Sequence, residues 1–336
     1  MQNVYAANEV DKRKLRFLYQ HSGIDYRYSV VPDYSRPVKD WKFYPQTENL
    51  EPFPNLEKRM DLFHKHAPLL SVDAVRNCLG HIHDIKKITH LITVSCTGMS
   101  APGLDLQLME LMELEKNISR TSINFMGCYA VIHGLKIADS ICRADEGARV
   151  LIVSTELCTL HFQRENTMDN ISSSLLFGDG SAAALVTGDS AEEEGLILDG
   201  FYSEVIPKGK RDMAWELSSS GFLMTLSGYI PDLIEEDFSS IIDRAFIHGK
   251  VDPDTVSHWC IHPGGRRILD AIHKSMNFTN DELQASYDVL KEVGNLSSAT
   301  ILFVLKKMMD AGGPVKKLAG AAFGPGLTIE TFLAHR

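Results

Sequence analysis

Short runs rich in β-branched and apolar residues recur along this chain, separated by longer amphipathic stretches. No other feature narrows its fold as much. The runs are "ITHLITVSC" (88–96), "TSINFMG" (121–127), "ARVLIVSTE" (148–156), "GSAAALVTG" (180–188), "SHWCIHPGG" (257–265) and "AGAAFGPGLTIETFLA" (319–334). Between them, segments such as 128–143 place Ala130, Val131, Leu135, Ala138 and Ile141 or Cys142 at helical spacing. Strands this apolar belong in sheets covered on both faces by helices, so the chain reads as α/β. Around "DSAEEEGLI" (189–197) the composition turns acidic and loop-like, and the alternation then resumes. A boundary there divides the chain into halves 1–190 and 191–336.

The 336 residues, 44% hydrophobic and 23% charged, suffice for two packed units or one large compound domain. No apolar run reaches the 18 residues of a membrane-spanning helix. The N-terminus "MQNVYAANEVDKRKLRFLYQ" is charged where a signal peptide has its apolar stretch, so the chain reads as cytoplasmic. Six cysteines are scattered without C-x-x-C pairs or histidine clusters, so neither a zinc site nor a disulfide framework is expected. No cofactor is expected either. The net charge of −10 argues against broad binding to nucleic acid or anionic membranes. A local basic pocket remains open to it, from Lys12, Arg13, Lys14 and Arg16 or from Arg266 and Arg267.

Three polar residues stand at turns where chemistry is easily placed. Cys128 follows a strand and a glycine, in the first turn of a predicted helix, where free N–H groups and the helix dipole favour thiolate. A small buried thiol filling a strand–helix junction is the other reading. His262 ends a strand and enters the turn Pro263-Gly264-Gly265, which presents an imidazole beside backbone that a ligand can approach. Asn295, in "VGNLSSATILFVL" (293–305), precedes an apolar helix although Ser297 and Ser298 would serve as caps. Together a thiol, an imidazole and an amide can activate a nucleophile and steady an oxyanion.

The segments "MGCYA", "FGDGSAAALV" (177–186), "WCIHPGGRRIL" (259–269), "GNLSSATILFVL" (294–305) and "FGPGLTIET" (323–331) resemble the type III polyketide synthases, the chalcone synthase-like branch of the thiolase superfamily. Their order fits, with 134 residues from Cys128 to His262 and 33 from His262 to Asn295. The resemblance runs from about residue 12 to the C-terminus, without the strand that opens the family's sheet. Either the start is trimmed or the sheet lacks that element.

The resemblance implies a five-layered αβαβα thiolase-like fold of two similar halves and a homodimer. It also implies iterative decarboxylative condensation of malonyl-CoA onto an acyl-CoA starter, then cyclisation. By position, Cys128 would hold the acyl chain, while His262 and Asn295 would bind the thioester carbonyl and stabilise the enolate and tetrahedral oxyanion. Phe177 matches the gatekeeper between CoA tunnel and cavity. Thr159, Ser297 and the loop containing Pro325 match the cavity lining. Lys14 matches a basic CoA contact, and Gly264, Gly265 and Arg267 lie in or beside the stretch approaching CoA.

Several positions depart from the plant pattern. The second gatekeeper is replaced near Met224, Cys96 stands where a hydroxyl residue is common, and Ala101 takes the place of the methionine that crosses the dimer interface. Trp215 replaces a small glycine; it reads either as a wall removing cavity space or as an aromatic beside an acidic helix start. The segment 213–234 is more similar to bacterial enzymes, several of which take fatty acyl starters and give alkylresorcinols or alkylpyrones. An initiating ketoacyl-ACP synthase shares the fold and the triad but carries a Pro-His-Gln-Ala-Asn context instead of "IHPGG". A papain-like protease spaces Cys and His by about 130–150 residues, yet no "CGSCW" surrounds Cys128. A non-catalytic acyl-binding member of the fold should have lost one of the three polar groups.

Overall fold

The computed structural model of the protein describes residues 2–6, 8–47, 49–80, 85–189, 195–279 and 281–336. The chain opens with α1 (Gln2–Tyr5), α2 (Glu9–His21) and α3 (Leu56–Leu79). It continues through β1 (His90–Ser95), α4 (Leu104–Leu111), β2 (Ser119–Asn124), α5 (Ala130–Ala144), β3 (Arg149–Leu157), α6 (Met168–Leu176) and β4 (Asp179–Thr187). Then come β5 (Ile197–Val205), β6 (Met213–Ser218), β7 (Gly221–Leu226), α7 (Ile230–Gly249) and β8 (His258–Ile261). The last elements are α8 (Arg266–Ser275), α9 (Gln284–Val293), α10 (Thr300–Ala311), β9 (Leu318–Gly324) and β10 (Thr328–His335).

One sheet has the order β2-β1-β3-β4, parallel except for the antiparallel β3–β4 pair. The other has the order β5-β10-β9-β8, antiparallel except for β8–β9. Strand β3 shows why the sheets are covered on both sides. Its Val150 and Ile152 face one apolar cluster, while Leu151 and Val153, one residue out of phase, face another. Burying a side chain of this kind contributes roughly 1.5–3 kcal/mol, which a one-sided sheet would forgo on every second residue.

The first of those clusters is the middle of the molecule. Val131 and Leu135 of α5 and Ile301 and Val304 of α10 pack there between Ile92 of one sheet and Phe332 of the other. Helices α3 and α4 cover the outer face of the first sheet through Phe63, Val75 and Leu108. Helices α7 and α8 cover the second through Ile234, Phe238 and Leu269. Helix, sheet, helix, sheet, helix is the five-layered thiolase-like order.

The strand runs fall where the sequence placed them, and 319–334 resolves into the hairpin β9–β10. Strands β5, β6 and β7 were not anticipated. Segment "ILDGFYSEV" mixes Asp, Gly, Ser and Glu among its apolar residues, and β6–β7 is a two-stranded ribbon outside both main sheets. Such a ribbon is stable only through what it packs against. The boundary expected around 189–197 falls in part on residues 190–194, outside the described residues.

Candidate active site

Cys128 stands two residues ahead of α5 rather than within its first turn. Phe125 and Gly127 reach it through positive φ values of 62° and 87°. A Cβ on Gly127 would come within 2.1 Å of Pro325 Cδ, so the loop after β9 closes on the nucleophile turn only because residue 127 has no side chain. Cys128 is buried, with its Sγ 3.8 Å from Ser297 Oγ and the Asn295 side chain also in hydrogen-bonding contact.

Burial pushes the Cys128 thiol up to about 12, with the Ser297 and Asn295 hydrogen bonds pulling it back and the buried Glu156 adding to the rise. Burial thus opposes the thiolate that the helix end favours. Loss of water outweighs a dipole whose first turn begins beyond the cysteine.

His262 leaves β8 with its N–H on Ala321 O at 2.9 Å. It is 1% exposed, yet neither ring nitrogen has a hydrogen-bond partner among the described residues. Burial lowers its pKa to about 3, so the ring is neutral, with one N–H to donate and one lone pair to accept. Buried polar atoms are rarely left unpaired. His262 lines the same cavity as Cys128.

Asn295 is held on every side. Its N–H donates to Leu176 O and its carbonyl accepts from Gly178 N–H, both at 2.9 Å, which ties it to the "FGDG" turn through a bridge with Phe177. Its Oδ1 accepts from the Ser297 N–H at 2.8 Å and the Thr300 hydroxyl at 3.3 Å. With Oδ1 so engaged, Nδ2 turns toward the His262 loop and donates to Gly264 O at 3.3 Å. Gly294 makes this possible: it has φ +74°, and a Cβ there would sit 2.8 Å from Leu176 O. The residue that looked like a superfluous cap is an oriented amide donor, and Ser297, itself at φ +51°, is the residue that orients it.

The cavity holding these groups has a volume of about 980 Å³. Cys128, His262, Asn295, Phe177, Thr159, Cys96, Trp215, Met224, Ser297, Gly264, Gly265, Arg267 and Pro325 all line it. Lys14 does not; it is exposed on α2. Trp215 and Met224 are directly paired across β6–β7. The indole Nε1 donates to Cys96 O at 2.7 Å, so Trp215 is a wall of the cavity and not a helix-start aromatic. The Cys96 Sγ in turn accepts from the Gly127 N–H at 2.9 Å.

Four supporting residues escaped the sequence reading. Asp179, the acid of "FGDG", accepts from the Thr159 N–H and hydroxyl at 2.8 and 2.6 Å and from the Val30 N–H at 2.8 Å; burial raises it to about 6. Ser29 meets the Thr159 hydroxyl at 2.7 Å. Glu156 accepts from the Cys96 N–H at 2.9 Å, the Thr97 hydroxyl at 2.8 Å and the Ser298 hydroxyl, and burial raises its pKa too. His161 accepts from the Phe222 N–H at 3.1 Å and donates to Thr97 O at 2.7 Å, and its ring stacks on Phe222 with centroids 4.1 Å apart. The only signal for Asp179 was its place between two glycines. The other three had none, since their partners lie far away in sequence.

A cysteine, a histidine and an asparagine are brought to one cavity in a fold of two stacked sheets and three helical layers, the architecture of the thiolase-like class. Residues 5–190 match the N-terminal domain model of the chalcone and stilbene synthases, and residues 199–336 match the C-terminal one. The chain belongs to this family, the type III polyketide synthases. It is 28% identical over 331 residues to "Alpha-pyrone synthesis polyketide synthase-like Pks18" of Mycobacterium tuberculosis, covering 96% of this chain and 82% of that protein. It is 29% identical over 336 residues to "Probable polyketide synthase 1" of Dictyostelium discoideum, but spans only 10% of that protein's length. The crystal structure of PKS-I from the brown alga Ectocarpus siliculosus superposes with a TM-score of 0.90 at 28% identity, covering 98% of this chain and 90% of that one.

Proposed function

We propose that this chain loads an acyl-CoA starter onto Cys128, extends it with malonyl-CoA by decarboxylative condensation, and releases a cyclised pyrone or resorcinol-type product. The single observation behind this reading is the pair of unpartnered His262 nitrogens in a cavity shared with Cys128 and the Asn295 amide. In loading, the Cys128 sulfur bonds to the acyl carbon, the bond to the CoA sulfur breaks, and the thiol proton ends on the departing CoA. In extension, malonyl-CoA loses CO2 and the bonding pair becomes an enolate. The enolate oxygen accepts hydrogen bonds from the His262 N–H and the Asn295 Nδ2, donors fixed before the charge appears. Its carbon attacks the thioester on Cys128, whose sulfur leaves.

Phe177 would stand between tunnel and cavity, with Thr159, Cys96, Trp215, Met224, Ser297 and Pro325 shaping the space for the chain. Arg267, Gly264, Gly265 and Lys14 would meet CoA. The pyrone alternative is supported by the name of the mycobacterial relative. Residues 1–190 would form the half bearing the cysteine, and 191–336 the half bearing histidine and asparagine. A homodimer is supported by β2, an edge strand with five of its six residues exposed, beside the exposed Met99 and Leu106. A cytoplasmic setting is supported by six free cysteines. No helix among the described residues is long and apolar enough to cross a membrane.

Incubation with radiolabelled malonyl-CoA and a panel of acyl-CoA starters tests the reading. CO2 release with starter-dependent polyketides is expected. An intact, folded protein that releases no CO2 with any starter would overturn it in favour of an acyl-binding role.

A further inference from the structure

Two buried carboxylates stand behind the cavity wall, and they differ in where their hydrogen-bonded hydroxyls lead. Glu156 is held by the Cys96 N–H and by the hydroxyls of Thr97 and Ser298. The Thr97 hydroxyl also accepts from the Leu157 N–H at 2.9 Å, and Ser298 continues to Ser154 at 2.9 Å, both serines being fully buried. That chain ends inside the protein. Asp179, 5% exposed, is held by the N–H groups of Thr159 and Val30 and by the Thr159 hydroxyl at 2.6 Å, whose oxygen meets the Ser29 hydroxyl at 2.7 Å. Ser29 and Thr159 line the cavity, and Asp179 does not. This second chain runs from the cavity wall to an acid set behind it.

A hydroxyl carries one hydrogen and two lone pairs. With Asp179 ionised, Thr159 donates to its Oδ2 and accepts from Ser29. Ser29 also accepts from the Val31 N–H at 3.0 Å, which leaves it one lone pair for a donor in the cavity. The two N–H groups on Asp179 cannot turn, whereas both hydroxyls can. When Asp179 takes a proton, the chain reverses: the acid donates to Thr159, Thr159 to Ser29, and Ser29 into the cavity. Asp179 has no Lys, Arg or His within ion-pair distance among the described residues. Tyr34, Tyr44 and Cys158 face it and are uncharged at neutral pH, and Arg59, which acts on both phenols, makes no ion pair with it. Burial brings the acid to about 6, where a carboxyl can both take and return a proton near neutrality.

A chain extended on Cys128 carries β-keto groups, and their enol form offers an O–H. Of the protons such a chain can lose on ring closure, an enolic O–H is the one that hydrogen-bonds to a hydroxyl; a C–H does so poorly. We propose that Ser29, Thr159 and Asp179 form a proton relay that closes the chain on Cys128 to a lactone of the pyrone type. This rests on the condensing reading above. The enol oxygen bonds to the thioester carbon, and the bond from that carbon to the Cys128 sulfur breaks, its electron pair leaving with the sulfur. The enolic proton passes to Ser29 as Ser29 passes its own to Thr159 and Thr159 passes its own to Asp179 Oδ2. After the lactone departs, the two hydroxyls turn back and the proton reaches the sulfur through water. Ser29 meets the enol; Thr159 and Asp179 act through it.

The test measures lactone and CO2 together, from malonyl-CoA with acetyl-CoA, octanoyl-CoA or benzoyl-CoA as starter, with the mass of the intact protein at the end of each reaction. Ser29→Ala and Thr159→Val should each lower the lactone formed per CO2 released by about tenfold or more and leave extended chains on Cys128. Thr159→Ser, which keeps the hydroxyl, should restore the wild-type ratio. In wild type the ratio should fall as pH is lowered through about 6, as Asp179 gains its proton, and in Ser29→Ala it should stay level. Variants of Asp179 are less informative, because its turn also holds Asn295 through the Gly178 N–H. Loss of lactone and CO2 in the same proportion would show that Ser29 and Thr159 only shape the cavity, and a wild-type ratio in Ser29→Ala would remove the relay; either result overturns the proposal. Wild type that releases CO2 yet closes its chains only through carbon–carbon bonds rejects the relay and spares the condensing reading. No CO2 from wild type with any of the three starters takes both down.

Discussion

The polar corner around Asn295 and the aromatic wall around Trp215 face the same cavity but are held by different forces. Asn295 is fixed through both its backbone groups and both ends of its amide, with every partner inside the fold. The Trp215 side chain is fixed by one hydrogen bond, to Cys96 O, and by edge-on contacts with His161 and Phe222 at 5.7 and 5.8 Å. The first arrangement suits a donor that must not move when charge develops. The second suits a surface that sets volume, because packing tolerates changes of side chain that a directed hydrogen bond does not. Rate should therefore depend on the corner and product identity on the wall.

Cys128 lines the cavity that both regions share, so its loss should have the largest effect. Cys128→Ala is expected to abolish polyketide formation with the melting temperature nearly unchanged, while some malonyl-CoA decarboxylation survives on His262 and Asn295. Peptide mass spectrometry showing the starter on another cysteine would reject the assignment. Next comes the corner itself. Asn295→Ala should slow CO2 release and condensation together by about 10²–10³-fold. It also strands the Ser297 N–H, costing about 1–3 kcal/mol of stability. Asn295→Asp keeps the acceptor and removes the donor, so a stable yet inactive Asp variant would separate the two effects. CO2 release at the wild-type rate in either variant would remove the amide from the mechanism.

The wall should respond in the other way. Trp215→Gly is expected to preserve acylation of Cys128 while changing the number of extensions or the ratio of pyrone to resorcinol products. A loss of about 3–5 kcal/mol with an unaltered distribution for every starter would make Trp215 a packing residue only. The smallest effect expected is on pH dependence. Burial keeps His262 neutral down to about pH 3, whereas an unfolded histidine takes up its proton near 6.5. The unfolded state thus binds more protons in this window, and stability is lost as pH falls from about 6.5 toward 3. At pH 5 this amounts to about 2 kcal/mol. His262→Gln should therefore gain about 2 kcal/mol relative to wild type between pH 7 and pH 5 in denaturant unfolding, because His161 and Asp179 titrate alike in both. A constant difference would mean that His262 is not held neutral by its surroundings.

Much of this was legible in the linear order. Apolar runs such as 148–156 announced buried strands because a strand enclosed on both faces has no polar side to conceal its identity. The glycines flanking Cys128, His262 and Asn295 marked turns, and turns at strand ends are where side chains can be offered to a ligand. Ribbon β6–β7 was not legible, since its residues become a strand pair only by covering the cavity beside Cys96. Nor were Glu156, Ser29 and His161, whose roles depend on partners such as Ser298, Thr159 and Phe222.

By itself, then, the sequence determined which residue types stand at which turns, and hence the layers and the identity of the three polar groups. Only the tertiary structure decided their condition. Local order favours a thiolate at a helix end, but enclosure by two sheets removes water from Cys128 and His262 together, raising the one pKa and lowering the other. The free energy of a charge depends on everything within several ångströms of it, and most of that surrounding matter is distant along the chain.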